Sequence, residues 1–340
     1  MTPSIRGCDQ AMRPILEVRD LTIHAGSEAH PIPLVESVSF SVAKGSTLAL
    51  VGESGCGKSM TALSLMRILP EPGVRIAGGE IHFEDEDLVS APEQRMQELR
   101  GNIISMIFQD PIASLNPIQT VGNQIIEVIR THNAVSRREA KARAIELLRS
   151  VRLPDAERRI DYYPHRLSGG MCQRVMIAMA MAGAPKVIIA DEPTTALDTT
   201  VQAQVMALLR KAQTETGTAI VLITHNLAAA AEAAENVAVM YAGRIIEQGP
   251  VREIFLAPAH PYTQGLLGAI PDSDEDSMEI SPLTEIAGNV PRPGTLPHGC
   301  AFAPRCKKAQ ERCRQDRPAL TSHGNRLVAC FFPDSPAIAQ

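Results

Sequence analysis

Residues 52–59 read GESGCGKS, and these residue types suit the binding of nucleotide phosphates. The segment follows the apolar run TLALV and precedes the helical pattern MTALSLMRIL. Glycines let the backbone turn its N–H groups toward an anion, while a lysine reaches the terminal phosphates and a serine hydroxyl binds Mg²⁺. A glycine-rich turn that matches by coincidence is the alternative. The predicted nucleotide-contacting residues are Gly52, Glu53, Ser54, Gly55, Cys56, Gly57, Lys58, Ser59 and the following Met60.

The run KVIIADEP supplies two adjacent carboxylates at the end of a predicted strand. Asp191 ends an apolar strand, and it can therefore bring its carboxylate to the magnesium ion that Ser59 binds beside the phosphate-binding loop. Glu192 projects differently and can point at a water in line with the γ-phosphate, as a general base does. An acidic pair that only ends a strand is the alternative. The upstream phosphate-binding loop favours the catalytic interpretation.

A second phosphate-binding surface is predicted in LSGGMCQRVMIAMAMA, residues 167–182. Ser168 precedes Gly169 and Gly170 where a helical pattern begins, and a helix N-terminus attracts anions. A simple helix cap is the alternative, and it would explain Ser168 but not the two glycines. Two residues without Cβ atoms favour close approach by a ligand.

The elements that position these residues follow an α/β rhythm. The apolar runs TLALVG, IISMIF, KVIIAD and AIVLIT read as buried strands of a parallel sheet with crossover helices. Residues 110–185 read as a mostly helical insert, in which Ala140, Ala144, Leu147, Leu148 and Val151 share one helix face. NVAVMYAGRIIEQG reads as a closing hairpin, after which Pro, Gly and acidic residues become frequent. We therefore predict a nucleotide-binding domain over residues 1–250 and an extension over 251–340.

Composition narrows the class of protein. The 340 residues carry 44% hydrophobic residues, a net charge of −5 and a pI near 6.0. This balance gives no overall attraction to nucleic acid or to an anionic membrane. No apolar run reaches the roughly 20 residues of a membrane span, and the first residues lack an apolar signal core. We expect a cytosolic protein whose cysteines stay reduced.

The chain resembles the ATP-binding subunits of ABC transporters. GESGCGKS matches the Walker A motif, LSGGM the signature and VIIADE Walker B, while Gln109 in IFQDP stands at the Q-loop position. Asp198 in TALD stands at the D-loop and His225 in ITHNL at the switch histidine. LTIHAG departs from the family by offering His24 and Ala25 where an aromatic residue stacks on adenine.

The resemblance implies an ABC-type ATPase that uses ATP and Mg²⁺. Two cassettes meet head to tail, so that Ser168, Gly169 and Gly170 serve the nucleotide of the opposite cassette. The implied catalytic residues are Glu192, His225, Gln109 and Lys58, and the implied magnesium ligands are Ser59, Gln109 and Asp191.

Two further stretches resemble importers of peptides, nickel and related solutes. These are FQDPIASLNPIQTVGNQI after Gln109 and APAHPYTQGLLGAIP at 257–271. The resemblance implies a second ATPase subunit, two membrane permease subunits and an extracytoplasmic binding protein, with this chain on the cytoplasmic face of the inner membrane. The alternative is an ABC ATPase that acts on nucleic acid or the ribosome. This chain lacks that class's coiled coil or second cassette.

Four of the seven cysteines lie in the C-terminal extension. The tail beyond residue 280 is too short to bury a core of its own, so a metal staple is a reasonable way to order it. Spacing alone leaves Zn²⁺, an iron–sulfur cluster and incidental thiols open. The resemblance favours a [4Fe–4S] cluster, with ligands Cys300, Cys306, Cys313 and Cys330. Cys8, Cys56 and Cys172 receive no metal-ligand role.

Overall fold

A computed structural model describes residues 13–194, 199–269 and 286–334 of the chain. Its main sheet has eight strands, of which the central ones are parallel, as the apolar runs predict. In order across the sheet the strands are β11 (Thr321–His323), β12 (Arg326–Val328), β10 (Arg244–Pro250), β9 (Asn236–Tyr241), β3 (Thr47–Val51), β8 (Ala219–Thr224), β7 (Val187–Asp191) and β6 (Ile104–Ile107).

A second sheet is antiparallel and packs against the first. Its strands, in order across the sheet, are β2 (Ile32–Ala43), β1 (Pro14–Ala25), β4 (Val74–Phe83) and β5 (Glu86–Asp87). Val18 and Ile23 of β1 share one apolar cluster with Leu48 and Leu50 of β3. This apolar cluster therefore holds β3 in place, and β3 is the strand that precedes the phosphate-binding loop.

Every element between β6 and β7 is helical. These elements are α3 (Pro111–Ser114), α4 (Val121–His132), α5 (Arg137–Ser150), α6 (Ala156–Arg159), a 3₁₀ turn (Pro164–Arg166) and α7 (Gly169–Met181). The predicted apolar face of α5 is confirmed, since Ala140, Ala144, Leu148 and the following Val151 are buried and Leu147 is half-buried. Ser136 caps α5 by accepting the Glu139 N–H.

The remaining helices surround the sheets. They are α1 (Lys58–Leu65), α2 (Glu93–Leu99), α8 (Thr199–Thr216), α9 (Leu227–Ala233), α10 (Val251–Leu256), α11 (Pro261–Leu267) and α12 (Glu311–Gln315). Across the described ranges, no helix combines the length and the apolar character needed to cross a bilayer.

The C-terminal extension continues the main sheet. Strands β9 and β10 form the predicted antiparallel hairpin, and β12 adds to the other edge of β10. Glu247 of β10 is fully buried, accepts the N–H groups of Ala259 and His260, and pairs with Arg326 of β12 at 3.4 Å. Removing one partner of such a buried pair typically costs 3–5 kcal/mol. The extension is thus tied to the cassette at its first strand.

The extension also shares its apolar core with the cassette. Tyr262 and Phe302 pack against Tyr241 of β9, with ring centroids 4.6 and 5.3 Å from that ring. All three side chains are buried. This agrees with the expectation that the tail cannot build a core alone.

Candidate functional site

The loop of residues 52–57 connects β3 to α1 and requires its glycines. Gly52 has φ +152°, and a Cβ there would lie 2.3 Å from the Met240 carbonyl oxygen. Gly57 caps α1 with φ +106°, a conformation that side chains with a Cβ rarely adopt. The glycines therefore allow the tight turn that leads into α1. The backbone N–H groups at the N-terminus of this helix favour the binding of an anion.

Lys58 is buried within this loop. Its ammonium donates to the carbonyl oxygens of Gly52 at 2.7 Å and Glu53 at 3.0 Å, and contacts the Cys56 sulfur at 3.7 Å. Burial raises the pKa of the Cys56 thiol. Phosphate oxygens would compete with these neutral acceptors for the ammonium, because charge-assisted hydrogen bonds are stronger.

Ser59 and Asp191 lie together, as predicted for magnesium ligands. The Ser59 hydroxyl donates to Asp191 Oδ1 at 3.2 Å. Burial raises the pKa of Asp191, and the neighbouring Glu192 carboxylate acts in the same direction. A hydroxyl beside a buried carboxylate is the kind of oxygen donor set that Mg²⁺ uses with nucleotide phosphates. A divalent cation would supply the positive charge that this carboxylate needs.

Glu192 is held between two of the predicted site residues. Gln109 donates from Nε2 to Glu192 Oε2 at 3.0 Å, and His225 Nδ1 lies 3.3 Å from the same oxygen. Glu192 has φ +48°, and its N–H donates to the Ile223 carbonyl at 2.8 Å. Backbone strain of this kind costs about 1–3 kcal/mol and is common in active sites. Glu192 therefore leaves the extended backbone conformation of the strand immediately after Asp191.

The signature residues lie on a different part of the molecule. Ser168 caps α7 by accepting the Met171 N–H at 3.4 Å. Ser168 and Gly169 are exposed, and a Cβ at Gly169 would meet nothing within 4 Å. Helix α7 packs against α3, α4, α5 and β6, whereas α1 packs against β2, β7 and β8. The chain therefore does not bring its own signature into the cluster formed by Lys58, Asp191 and Glu192.

One buried contact connects α7 to that cluster. Gln173 donates to the Pro193 carbonyl at 2.8 Å, next to Glu192. Asp198, predicted at the D-loop, lies outside the described residues. His24 and Ala25 end β1 and are half-buried.

Sequence reasoning missed two contacts with Glu53 of the phosphate-binding loop. The Tyr262 hydroxyl accepts the Glu53 N–H at 2.9 Å, and Arg305 Nη1 lies 3.1 Å from both carboxylate oxygens. His260 caps α11, and its Nδ1 accepts the Tyr262 N–H. Burial lowers the pKa of His260 to about 3, so the ring stays neutral as this role requires. The motifs HPYT and APRC are visible in the sequence, but nothing in their spacing points to this loop.

The four extension cysteines face one narrow cavity of about 20 Å³, which Phe302 and Phe332 also line. Burial raises the pKa of Cys330 to about 11, and the thiols of Cys300, Cys306 and Cys313 act in the same direction. Yet no three His, Cys, Asp or Glu side chains in the described part of the chain are grouped to hold a metal ion. A space of this size suits about one water molecule. The structure therefore does not support the iron–sulfur prediction.

Comparisons with known proteins agree with this geometry. The family described as "ABC transporter" matches residues 35–195, and "Oligopeptide/dipeptide transporter, C-terminal region" matches residues 246–313. The oligopeptide transport ATP-binding protein AppD of Bacillus subtilis is 48% identical over 97% of this chain and 100% of its own length. The dipeptide transport ATP-binding protein DppD of Haemophilus influenzae is 48% identical over 94% of this chain and 96% of its own.

A solved structure of similar fold is the dimeric ATP-binding cassette MJ0796, bound to ADP and Pi in a post-hydrolysis state. It aligns with a TM-score of 0.63 and 26% identity over 70% of this chain and 99% of its own. The likeness to AppD and DppD extends over nearly the whole chain, and the range matched by the ABC transporter family includes Lys58 and Asp191. The chain belongs to the family of ABC transporter ATP-binding proteins.

Proposed function

We propose that this chain is the ATP-hydrolysing subunit of an ABC importer that takes up peptides or a related small solute. One observation carries the ATPase part: Glu192 is held by Gln109 and His225 beside the pair formed by Ser59 and Asp191. The likeness of residues 246–313 to the oligopeptide and dipeptide transporter region supports the solute class. The same match argues against an ABC ATPase that acts on nucleic acid or the ribosome.

In the proposed reaction, Glu192 accepts a proton from the attacking water. A bond forms between the water oxygen and the γ-phosphorus, and the bond from that phosphorus to the β,γ-bridging oxygen breaks. Gln109 and His225 keep the Glu192 carboxylate in place. Lys58 stabilises negative charge on the terminal phosphates.

Mg²⁺, when bound with ATP, would neutralise phosphate charge, and its proposed protein ligands are Ser59, Gln109 and Asp191. The phosphate-contacting backbone and side chains are proposed to be Gly52, Glu53, Ser54, Gly55, Cys56, Gly57, Lys58, Ser59 and Met60. Helix α1 directs its N-terminus at the same phosphates.

We further propose that the complete importer contains a second ATPase subunit, two permease subunits and an extracytoplasmic binding protein. The exposed signature at Ser168 and Gly169 supports a second cassette. Ile112 and Ile118, which follow Gln109, are 63% and 82% exposed. Large exposed apolar side chains favour contact with another protein, and we propose that this partner is a permease at the cytoplasmic face of the membrane.

The proposed domain division is a nucleotide-binding domain over residues 1–250, with a helical subdomain near 110–185, and an extension over 251–340. The separate family matches to residues 35–195 and 246–313 support two units. Strand β12 of the extension pairs with β10, so the proposed boundary divides the chain without dividing the sheet.

Uptake of a labelled peptide mixture tests the proposed function. We expect deletion of the gene for this chain to abolish uptake of at least one peptide class, and the intact gene to restore it. A gene carrying Lys58→Ala should not restore it, because ATP binding is lost. Full peptide uptake without this chain, with loss of uptake of an unrelated solute, would contradict the peptide assignment and leave the ATPase assignment standing.

The four extension cysteines carry a separate proposal: together they bind one metal centre, a [4Fe–4S] cluster or Zn²⁺. The four cysteines line one cavity, but no three of the described side chains are grouped as metal ligands, so the proposal rests on the sequence resemblance and not on the described geometry. Thiolate sulfur is a preferred ligand of both. The metal's contribution would be to hold the extension together, because the cysteines lie outside the phosphate-binding loop.

Anaerobic purification with iron, sulfide and zinc analysis tests that proposal. We expect stoichiometric metal in the wild type and its loss in Cys313→Ser, because Cys313 is buried among the other thiols. Cys172→Ser, also buried but in α7, is the matched control and should keep the metal. Protein without iron or zinc would contradict the proposal, and zinc without iron would exclude the cluster.

A further inference from the structure

Glu53, the second residue of the phosphate-binding loop, is bound by the C-terminal extension at both its side chain and its backbone. Arg305 lies 3.1 Å from both carboxylate oxygens, and the Tyr262 hydroxyl accepts the backbone N–H at 2.9 Å. Arg305 and Glu53 are 252 residues apart in the chain. The extension therefore contacts the loop that is proposed to take the phosphates of ATP.

Both contacting groups are held firmly. The Arg305 side chain is only 6% exposed, and its remaining N–H groups donate to the carbonyls of Ile286 at 3.1 Å and Ala287 at 3.0 Å. Tyr262 is fully buried and packs at 4.6 Å from the Tyr241 ring. Neither group can follow a displaced loop without disturbing its own packing, so each one fixes the position of Glu53.

The two contacts have different physical consequences. An unpaired Glu53 carboxylate would repel a polyphosphate bound to the same loop, and this repulsion is strong where water is partly excluded. Arg305 supplies the compensating charge. Tyr262 acts on the backbone instead, because it determines the direction of the Glu53 N–H whatever the side chain carries.

We propose that Arg305 and Tyr262 are positioning residues through which the C-terminal extension sets the affinity of the phosphate-binding loop for ATP. Arg305 neutralises and holds the Glu53 side chain, and Tyr262 holds the Glu53 backbone. The proposal rests on the nucleotide-binding role proposed above for residues 52–59. It gives the extension a part in ATP binding that the transport assignment alone does not include.

Equilibrium binding of a fluorescent MgATP analogue to the full chain tests this proposal. Arg305→Gln is expected to weaken binding by about 3-fold to 30-fold, the range typical of a residue that acts through another. Adding Glu53→Gln should restore affinity to within about threefold of wild type, because the repelling charge is then gone. Tyr262→Phe should weaken binding to a similar extent, and Glu53→Gln should not rescue it, because the backbone N–H is unchanged.

Salt supplies a second readout. The Arg305→Gln defect should shrink as ionic strength rises, since repulsion between charges is screened, whereas the Tyr262→Phe defect should not. Arg317→Gln is the matched control, because Arg317 pairs with Glu36 of β2 at 2.9 Å and thus joins the extension to the cassette away from the loop. It should leave MgATP affinity unchanged and should lower the melting temperature less than Arg305→Gln does, because Arg317 is 31% exposed and Glu36 keeps its pairing with Arg244.

Three outcomes would overturn the proposal. If Arg305→Gln binds MgATP as tightly as Arg317→Gln does, Arg305 has no role at the phosphate-binding loop. If adding Glu53→Gln to Arg305→Gln does not restore the affinity, the contribution of Arg305 is purely structural. If Arg305→Gln does not fold, the single variant Glu53→Gln tests the proposal instead. It should bind MgATP more tightly, because the positive charge of Arg305 is then no longer neutralised by Glu53. Weaker binding of MgATP would refute the proposal. Wild-type protein that binds no MgATP would instead contradict the nucleotide-binding role of residues 52–59.

Discussion

Glu192→Gln is expected to slow ATP turnover in the assembled complex by about 10²- to 10⁴-fold, the contribution of a well-placed general base. Glutamine keeps the size and one oxygen of glutamate, and it meets the same backbone strain at φ +48°. Gln109 still has an acceptor at this position. The substitution therefore removes the proton acceptor and leaves the phosphate-binding loop intact, so MgATP affinity should survive.

Paired measurements of turnover and affinity check this expectation. Lys58→Ala is the contrasting variant, because it removes the ammonium that contacts the loop carbonyls and should weaken MgATP binding itself. Turnover of Glu192→Gln near the wild-type rate would contradict the assignment of the general base. Loss of MgATP binding in Glu192→Gln would contradict the separation of the binding and catalytic roles.

Ser168→Arg is expected to abolish ATP hydrolysis at the site of the opposite cassette, which does not contain this chain's own phosphate-binding loop. Ser168 and Gly169 are exposed at the N-terminus of α7, and an arginine side chain there fills space that the opposite nucleotide's phosphates would occupy. The change loses the Ser168 cap on the Met171 N–H, which typically costs about 1 kcal/mol of stability. It should leave the Ser59 and Asp191 pair undisturbed.

The isolated chain is expected to hydrolyse ATP slowly for the same reason. Lys58, Asp191 and Glu192 lie in one chain, whereas the signature residues Ser168 and Gly169 are exposed at the N-terminus of α7. Turnover should therefore rise when a second cassette is present. Ser168→Thr is a milder variant that keeps a hydroxyl and a helix cap, and it should retain far more activity than Ser168→Arg.

The sequence predicts that the proposed catalytic residues lie close together, because these residues stand at strand ends. Asp191 ends β7, and Glu192 follows it directly, while His225 follows β8. The carboxyl ends of neighbouring parallel strands meet at one edge of the sheet, so the motifs imply the proximity that the structure shows. The helical insert was equally readable, because α5 buries one regular face.

The contacts made by the extension could not be predicted in the same way. Arg305 reaches Glu53 only because β12 pairs with β10 and because Phe302 packs on Tyr241, and both depend on tertiary structure. The buried pair of Glu247 and Arg326 likewise joins positions 79 residues apart. Periodicity and motifs describe local structure, whereas these pairings are determined by which surfaces remain to be covered.

The iron–sulfur prediction comes from the family resemblance and not from the cysteine spacing, and the described residues do not support it. Cys300 and Cys330 face the same cavity, as the prediction requires, but no three potential metal ligands are grouped in the described part of the chain. Cysteine count and spacing indicate which thiols can meet. They do not determine whether a metal holds them.

The most direct test of the central claim is to identify which nucleotide Ser168→Arg affects. A membrane complex would contain one Ser168→Arg chain and one unaltered second cassette, and photoactivated ATP would label each cassette separately during turnover. We expect this chain to keep its own label, because Lys58 and Ser59 are intact, while the opposite cassette traps no nucleotide. Loss of label from the Ser168→Arg chain alone would contradict a site shared between two cassettes.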